Sequence, residues 1–365
     1  MNAASIPAPM AMLAEVTHRC PLACPYCSNP LEMTAQAAEL TTAQWADIFS
    51  QAADLGVLHL HLSGGEPASR RDLPELVTAG SAAGLYVNLI TSGVGLTEAR
   101  LETLAANGLD HVQLSLQGVT PEASDHVAGY RGGYERKLNV ARWTRVLGLP
   151  LTLNAVFHRS NMEDLPRMID MAVEMGAHRL EVATVQFQGW AARNTRQLIP
   201  SRAQVEAMTA EVAAQRKRLE GTLVIDYVPA DYYSTYPKAC LGGWGRVGLN
   251  IEPDGRVLPC HAAATIPGLV FDNATARPLA EIWYKGEAFN AFRGTGWMKE
   301  PCRSCERAEV DFGGCRCQAL ALTGDARNAD PVCMKSGQRS AMKALMLEEG
   351  EVPQTGDYVY RGRPA

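Results

Sequence analysis

The stretch Thr17-His-Arg-Cys-Pro-Leu-Ala-Cys-Pro-Tyr-Cys27 decides how this chain is interpreted. It places Cys20, Cys24 and Cys27 in the spacing C-x3-C-x2-C, directly after an apolar segment. Three thiolates on one short loop leave one iron of an iron–sulfur cluster free to bind another ligand. The spacing also leaves open a zinc site that is completed by His18 or by a distant residue.

The bulk composition is that of a globular protein with room for two domains. The chain has 365 residues, of which 47% are hydrophobic and 20% are charged. A formal net charge of -5 without any Lys/Arg block gives no support for partners such as nucleic acid or an anionic membrane surface. No run reaches the length of a membrane span, and Met1–Leu13 lacks a basic segment, so we expect no signal peptide and a cytoplasmic location.

The ten cysteines fall into two groups that are far apart in the chain. Three lie before residue 28, and the others lie after residue 239. Because a reducing cytosol disfavours disulfides, clustered cysteines are better explained as metal ligands or catalytic groups. We therefore expect two modules, each with its own metal chemistry.

Apolar runs alternate with helical periodicity from about residue 10 to about residue 185, which predicts parallel strands joined by helical crossovers. The predicted strands are Met12–Thr17, Leu58–Ser63, Tyr86–Thr91, His111–Leu116, Leu151–Phe157 and Arg179–Val185, and a further strand-like segment is Thr222–Val228. The predicted helices are Thr42–Leu55, Leu73–Ala83, Glu98–Ala106, Tyr134–Leu147, Met162–Met175 and Arg202–Leu219, with Thr41-Thr42 and Asn161 as candidate N-caps. Six strand–helix units predict an α/β fold, a partial TIM-like (β/α)6 barrel.

Polar residues follow successive predicted strands, at the barrel end where function usually lies. They are Gly64-Gly65-Glu66-Pro67, Thr91-Ser-Gly93, Ser115-Leu-Gln-Gly118 and Asn154. Glycine lets the backbone approach a ligand closely, and Glu66 can supply either charge or a backbone anchor. Ser115 and Asn154 can each bind a ribose or a carboxylate, or be satisfied polar groups at the barrel rim.

The cysteine triplet, the Gly64–Pro67 segment and the Ser115–Gly118 strand end together resemble the radical S-adenosylmethionine (radical SAM) superfamily. The resemblance implies a radical SAM barrel over residues 8–228. It also implies a [4Fe–4S] cluster with an open iron site, held by Cys20, Cys24 and Cys27, and S-adenosyl-L-methionine as cofactor. Gly64, Gly65, Glu66 and Pro67 would hold the methionine amine. The family makes a 5′-deoxyadenosyl radical that takes hydrogen from a substrate.

The C-terminal cysteines are similar to the SPASM auxiliary-cluster domain of peptide-modifying radical enzymes. The match predicts such a domain at 229–345 and a C-terminal tail at 346–365. It implies two auxiliary iron–sulfur clusters, each [4Fe–4S] or [2Fe–2S]. By family position the first would be bound by Cys240, Cys260, Cys315 and Cys317, and the second by Cys302, Cys305, Cys333 and Asp311. Asp311 stands where the family has cysteine. Two alternatives remain: Asp311 is a bystander while Cys317 joins the second cluster, or the cysteines bind zinc.

The segment from Ala14 to Leu31 and the Asp311 exchange are similar to the radical enzymes of pyrroloquinoline quinone biosynthesis. That similarity implies a crosslink between a glutamate γ-carbon and a tyrosine ring in a small precursor peptide, PqqA. It also implies a peptide chaperone, PqqD, an external one-electron reductant, and auxiliary clusters that accept an electron. Two other functions stay open: a radical peptide maturase that makes thioethers or matures sulfatases, and a zinc-binding interaction protein without catalysis.

Overall fold

One continuous sheet organises the chain in the computed structural model, which describes residues 6–346 and 357–362. Its strands are β1 (Ala11–Thr17), β2 (His59–Gly64), β3 (Tyr86–Thr91), β4 (His111–Leu116), β5 (Leu151–Phe157), β6 (Arg179–Thr184), β7 (Val224–Val228), β8 (Gly248–Ile251) and β9 (Val257–Leu258). The strand order is β7-β6-β5-β4-β3-β2-β1-β8-β9, and every neighbouring pair from β1 to β7 is parallel. This confirms the predicted α/β barrel class, and the predicted strand-like segment Thr222–Val228 is present as β7 beside β6.

The C-terminal region shares this sheet with the barrel. Strand β8 pairs in parallel with β1, and β9 pairs antiparallel with β8. Strand β1, which leads into the cysteine triplet, is therefore held between two neighbours rather than standing at an edge. The predicted division at residues 228 and 229 cuts the chain between strands that belong to one sheet.

The helices cover both regions. They are α1 (Thr42–Leu55), α2 (Leu73–Ala82), α3 (Glu98–Ala106), α4 (Pro121–Ala128), α5 (Gly133–Val146), α6 (Leu165–Glu174), α7 (Trp190–Arg193), α8 (Thr195–Leu198), α9 (Arg202–Arg218), α10 (Leu279–Lys285), α11 (Glu287–Asn290), α12 (Ala308–Asp311), α13 (Arg316–Thr323) and α14 (Arg339–Leu345). Short 3-10 turns lie at Gln36–Ala38, Pro67–Ser69, Met162–Asp164, Cys240–Gly242 and Ala263–Thr265. No helix in these described ranges has both the length and the apolar character needed to cross a bilayer.

Local signals explain where several helices begin and end. The Thr41 side chain accepts a hydrogen bond from the Gln44 N–H, and Gln44 reaches back to the Thr41 N–H, which is a capping box at the start of α1. Gly56 ends this helix in the left-handed conformation, with φ of 105°. The predicted cap at Asn161 is wrong, because its side chain is bound to the backbone of His158 and Val156 instead.

The apolar core lies between the strands and the outer helices and continues into the C-terminal region. Trp45 and Phe49 of α1 and Trp283 of α10 are buried in the same cluster as the inner strand residues. A second, smaller core surrounds Trp244 and Phe292 and includes Cys317. The first core stabilises the barrel, whereas the second contains Cys317, which is predicted to bind a cluster.

The tail predicted at 346–365 is described only at 346 and 357–362. Residues 347–356 and 363–365 lie outside the described part of the chain. The segment Asp357–Gly362 contacts the loop that carries the cysteine triplet.

Candidate functional site

The loop after β1 gathers the three N-terminal thiols. The Cys27 N–H donates to the Cys24 carbonyl oxygen at 3.1 Å, which closes a tight turn between these two ligand positions. Burial, together with the nearby thiols of Cys27 and Cys20, raises the pKa of Cys24 to about 12. Without a cation, the three neighbouring thiols do not all ionise near neutral pH. A bound metal group removes their protons and offsets the negative charge of the thiolates. The donor set therefore fits an iron–sulfur cluster.

Several elements fix the backbone of this loop. The Ala23 N–H donates to the Ala128 carbonyl oxygen at the end of α4 (2.8 Å), and the Trp190 N–H of α7 donates to the Cys27 carbonyl oxygen (2.9 Å). The buried Asn194 amide donates to the Pro25 carbonyl oxygen at 3.1 Å. The loop is thus tied to parts of the chain that are about a hundred residues or more away in sequence.

The glycines of the Gly64–Pro67 segment permit contact with the approach to the cysteine loop. The Gly65 N–H donates to the Thr17 carbonyl oxygen at 2.7 Å, and the Glu66 N–H donates to the Arg19 carbonyl oxygen at 2.8 Å. A Cβ atom at Gly65 would lie 2.5 Å from the carbonyl oxygens of both His18 and Arg19. A side chain at Gly65 would therefore push the segment away from the backbone that precedes Cys20.

Glu66 is an anchor inside the protein rather than a free charge. It is 1% exposed. Its carboxylate accepts hydrogen bonds from the N–H groups of Ala68 (3.0 Å) and Ser92 (2.7 Å) and from the hydroxyls of Thr91 (2.7 Å) and Ser92 (2.5 Å). The three donors of Thr91 and Ser92 join the end of β2 to the end of β3, and the Ala68 N–H fixes the turn that follows Glu66. Of the two roles that the sequence left open, the contacts match the backbone anchor.

Ser115 and Asn154 are neighbours across β4 and β5, as their shared strand end predicts. The next residue along this row is Glu181 on β6. Burial raises the pKa of Glu181, and a hydrogen bond from the Asn154 side chain opposes this rise. The Asn154 amide is therefore already oriented by a carboxyl group within the barrel.

Lys137 on α5 was not predicted from the sequence. Its side chain is fully buried, and its Nζ donates to the carbonyl oxygens of Ser92 (2.8 Å) and Ser115 (3.1 Å). Burial lowers the pKa of Lys137 to about 8, and the nearby Cys24 and Glu66 oppose this shift. The lysine joins two strand ends and places a cation near the cysteine loop. Lys137 lies on the buried face of α5. A helical projection of the predicted helix Tyr134–Leu147 would therefore have placed this lysine among the core-facing residues.

Other polar atoms at this end of the barrel lack a hydrogen-bond partner among the described residues. Both ring nitrogens of His158 are buried and unpaired, as is Oε1 of Gln117. Burial lowers the pKa of His158 to about 4, so the ring is neutral near pH 7. His158 lies 6.1 Å from the ring of Tyr26, measured between centroids. Because buried polar atoms are normally paired, this group fits a polar ligand such as a nucleoside.

The structure brings Cys240, Cys260, Cys315 and Cys317 together. Cys240 hydrogen-bonds with Cys260 and Cys315, and Cys317 hydrogen-bonds with the same two residues, so the four side chains form a closed ring. The Cys317 Sγ also lies 3.3 Å from the Ala262 carbonyl oxygen. Its contacts therefore place Cys317 with the first predicted set rather than with the second.

A separate cavity is lined by Cys302, Cys305, Cys333 and Asp311. Asp311 is 7% exposed, and its carboxylate accepts hydrogen bonds from Arg307 Nε (3.1 Å) and from the Gly313 N–H (3.0 Å). Each carboxylate oxygen keeps a further lone pair, so these contacts still permit ligation. Burial raises the pKa of Cys302 to about 11, with Cys333 and Asp311 adding to the rise.

Comparison with known proteins gives two family matches. Residues 14–172 match the Radical SAM superfamily, and residues 240–306 match SPASM, an iron–sulfur cluster-binding domain. Both predicted resemblances are confirmed. The match to an iron–sulfur cluster-binding domain favours iron–sulfur clusters over zinc at the C-terminal cysteines.

Relatives match almost the whole chain. A protein of Rhizobium meliloti (strain 1021) described as PqqA peptide cyclase is 63% identical over 355 residues, which is 97% of this chain and 94% of the relative. The PqqA peptide cyclase of Ruegeria pomeroyi is 60% identical over 360 residues, covering 99% and 96% of the two chains. Streptococcus suis SuiB bound to S-adenosylmethionine has the same fold, with a TM-score of 0.75 and 22% identity over 89% of this chain and 77% of that chain.

Proposed function

The chain belongs to the PqqA peptide cyclases of the radical SAM superfamily, and from this premise we propose that it joins a glutamate γ-carbon to a tyrosine ring within the peptide PqqA. This bond would be formed early in pyrroloquinoline quinone biosynthesis. The observation that carries the proposal is the gathering of three thiols on one loop at the barrel end, in a chain whose similarity to these enzymes runs nearly from end to end.

We assign the N-terminal cluster to Cys20, Cys24 and Cys27. When bound, this cluster and S-adenosylmethionine supply a 5′-deoxyadenosyl radical that takes a hydrogen atom from the substrate. Because the Glu66 carboxylate is already saturated with donors, a methionine amine would meet backbone carbonyls of Gly64–Pro67. Ser115 and Asn154 remain our candidates for the cofactor's ribose or carboxylate, with Asn154 oriented by Glu181.

The atoms of the proposed crosslink balance without a leaving group. One hydrogen atom leaves the glutamate γ-carbon, and that carbon bonds to a carbon of the tyrosine ring. The ring then loses one proton and one electron as it becomes aromatic again, so the peptide loses two hydrogens in total. The proposal needs an external one-electron reductant to start the reaction, and it takes PqqD as the chaperone that presents PqqA.

Two auxiliary clusters in the C-terminal region would suit the uptake of the electron that the ring releases. The ring of Cys240, Cys260, Cys315 and Cys317 supports the first ligand set. The cavity containing Asp311 supports the second. An oxygen ligand changes the charge and solvation of a cluster and hence its potential.

Replacing Asp311 by cysteine tests its proposed ligation. We expect Asp311→Cys to shift the midpoint potential of one auxiliary cluster while the other cluster keeps its value. Glu309→Cys, at an exposed position on the same helix, is the matched control. An unchanged potential in Asp311→Cys would show that Asp311 is not a ligand.

Mass analysis of the peptide tests the proposed reaction. Anaerobic enzyme with reconstituted clusters would be incubated with S-adenosylmethionine, a strong reductant and PqqA, with and without PqqD. We expect PqqA to lose two hydrogens, with fragmentation linking one glutamate to one tyrosine. PqqA deuterated at the glutamate γ-carbon should transfer deuterium to 5′-deoxyadenosine. Deoxyadenosine without deuterium, or a thioether product, would contradict the proposed bond.

A further inference from the structure

The C-terminal segment Asp357–Gly362 reaches the N-terminal cysteine loop. Nη2 of Arg361 donates a hydrogen bond to the carbonyl oxygen of Cys20 at 2.8 Å, and the same nitrogen contacts the carbonyl oxygen of Leu22. One guanidinium group therefore binds two carbonyls within the loop that carries the three thiols. Because a planar guanidinium has several donors in fixed directions, it can hold both carbonyls in one relative orientation.

Asn194 ties this segment to the same loop from another side. Its Oδ1 accepts a hydrogen bond from the Val359 N–H at 2.8 Å, and its Nδ2 donates to the Val359 carbonyl oxygen at 3.1 Å. The same Nδ2 donates to the Pro25 carbonyl oxygen at 3.1 Å. Asn194 is fully buried. A single buried amide thus joins the C-terminal segment to Pro25, one of the two residues between Cys24 and Cys27.

Two tyrosines complete the contact. The Tyr360 hydroxyl donates to the His126 carbonyl oxygen at 2.7 Å, and its ring lies close to Gly129, where a Cβ would meet it at 3.1 Å. The Tyr358 ring packs against the rings of His126 and His158, with centroid separations of 5.3 and 6.3 Å. The segment is therefore packed as well as hydrogen-bonded.

Arg361 also places a positive charge beside the loop that carries the three thiols. The guanidinium of Arg361 is bound to the carbonyl oxygens of Cys20 and Leu22, so its positive charge lies at the loop that carries the thiols. A cation beside a thiolate-ligated cluster stabilises its more negative, reduced form. Arg361 reaches the loop from the C-terminal segment, whereas Lys137 of α5 binds the neighbouring strand ends at Ser92 and Ser115.

We propose that Arg361 is a positioning residue for the N-terminal cluster, which fixes the carbonyls of the cysteine loop and offsets the negative charge of the ligands. Asp357–Gly362 is then part of the cluster site, although it lies more than three hundred residues from the cysteines. This inference rests on the proposed assignment of the cluster to Cys20, Cys24 and Cys27. It adds a charge and an anchor that the cysteine spacing does not contain.

Two variants separate the charge from the anchor. Arg361→Gln removes the cation but keeps a side-chain amide donor. Val359→Pro removes the N–H that Asn194 accepts and leaves Arg361 in place, so it also tests the anchor if Arg361→Gln does not accumulate as folded protein. Arg142→Gln, at an exposed position on α5, is the matched control. The C-terminal clusters of each holoenzyme serve as internal references.

The readouts are redox titration followed by electron paramagnetic resonance, and the rate at which a chelator removes iron. For Arg361→Gln we expect the N-terminal cluster to become harder to reduce, by about tenfold in its one-electron equilibrium or about 59 mV. For Val359→Pro we expect faster iron loss from this cluster alone. The auxiliary clusters and Arg142→Gln should keep the wild-type values.

The outcomes distinguish this inference from the proposed function. If the wild type holds an N-terminal cluster and both variants keep its potential and its iron retention, the role of Arg361 is overturned. The proposed function then still stands. Equal shifts at all clusters would show general destabilisation and would also overturn it. A wild-type enzyme without an N-terminal cluster would overturn the proposed function together with this inference.

Discussion

The barrel and the C-terminal region support their cysteines in different ways. In the barrel, the triplet lies outside the large apolar core, and Cys20 and Cys24 pack against a separate three-residue cluster of Leu22, Val94 and Ala128. In the C-terminal region, Cys317 is a buried member of a small core, and Cys240, Cys260 and Cys315 pack against that core. The large core of the first region contains none of its candidate ligands, whereas the small core of the second region contains one candidate ligand, Cys317.

Under the proposed cluster assignment, this difference separates a reactive site from a structural one. A loop that is tied to a preformed scaffold can bind a cluster and leave an iron accessible without the fold depending on it. A small core that packs against proposed cluster ligands would gain much of its stability from the metal, because binding free energy then becomes folding free energy. We therefore expect loss of metal to have unequal consequences in the two regions.

The largest effect should come from removing a thiol of the C-terminal ring. We expect Cys315→Ala to cause local unfolding around the small core, since its side chain hydrogen-bonds with both Cys240 and Cys317. Hydrogen exchange should show lost amide protection around α13 and retained protection in β1–β6. Cys24→Ala is the matched control, and it should leave exchange in both regions close to wild type. Equal loss of protection in the two variants would contradict the expected difference between the two regions.

A smaller effect is expected at the anchor between β2 and β3. Glu66→Gln replaces one acceptor oxygen by an amide that faces existing donors, so the free energy of unfolding should fall by about 2–3 kcal/mol. Glu102→Gln, at an exposed position on α3, provides the control and should change stability little. Chemical denaturation of the two variants measures the difference. Equal stabilities would show that the buried carboxylate is not an important anchor.

The smallest effect is a gain in stability at His158. Because both ring nitrogens are buried without partners, His158→Phe should raise the free energy of unfolding by about 1–2 kcal/mol and weaken S-adenosylmethionine binding. The pKa of about 4 in the folded protein lies below the ordinary value of 6.5. Wild-type stability should therefore fall as the pH drops from 6.5 towards 4, and the variant should lose less over this range.

Calorimetric ligand titration and denaturation across this pH range check both parts of the His158 prediction. A less stable variant with unchanged cofactor affinity would show that the ring serves packing alone. His178→Phe is a control on the far side of the barrel, at the start of β6, where the histidine Nδ1 accepts a hydrogen bond from the Leu151 N–H.

Much of the barrel could be predicted from the sequence because its signals are local. The strands Tyr86–Thr91, His111–Leu116 and Leu151–Phe157 and the helices Thr42–Leu55 and Glu98–Ala106 have the predicted ends. Helix α4 was missed, since Pro121–Ala128 is short and carries three charged or titratable side chains among its eight residues. Residue type alone predicts a cap at Asn161, because it does not show that the amide binds the preceding turn.

The candidate site divides in the same way. Cys20, Cys24 and Cys27 are close in sequence, so their spacing is enough to recognise them. Lys137 and Arg361 come from distant segments, and only the folded chain brings them to the cysteine loop. The two C-terminal ligand sets were implied by the resemblance to the SPASM domain, whereas the ring of hydrogen-bonded thiols depends on how α13 packs against Trp244 and Ala262.

The most direct test of the account compares the wild type with a variant in which Cys20, Cys24 and Cys27 are all alanine. Both proteins would be reconstituted anaerobically with iron and sulfide, then mixed with S-adenosylmethionine and a strong reductant. We predict that the wild type releases 5′-deoxyadenosine and that the variant, with its C-terminal iron and sulfide intact, releases none. Equal release from both proteins, or a wild type that holds no more iron and sulfide than the variant, would contradict it.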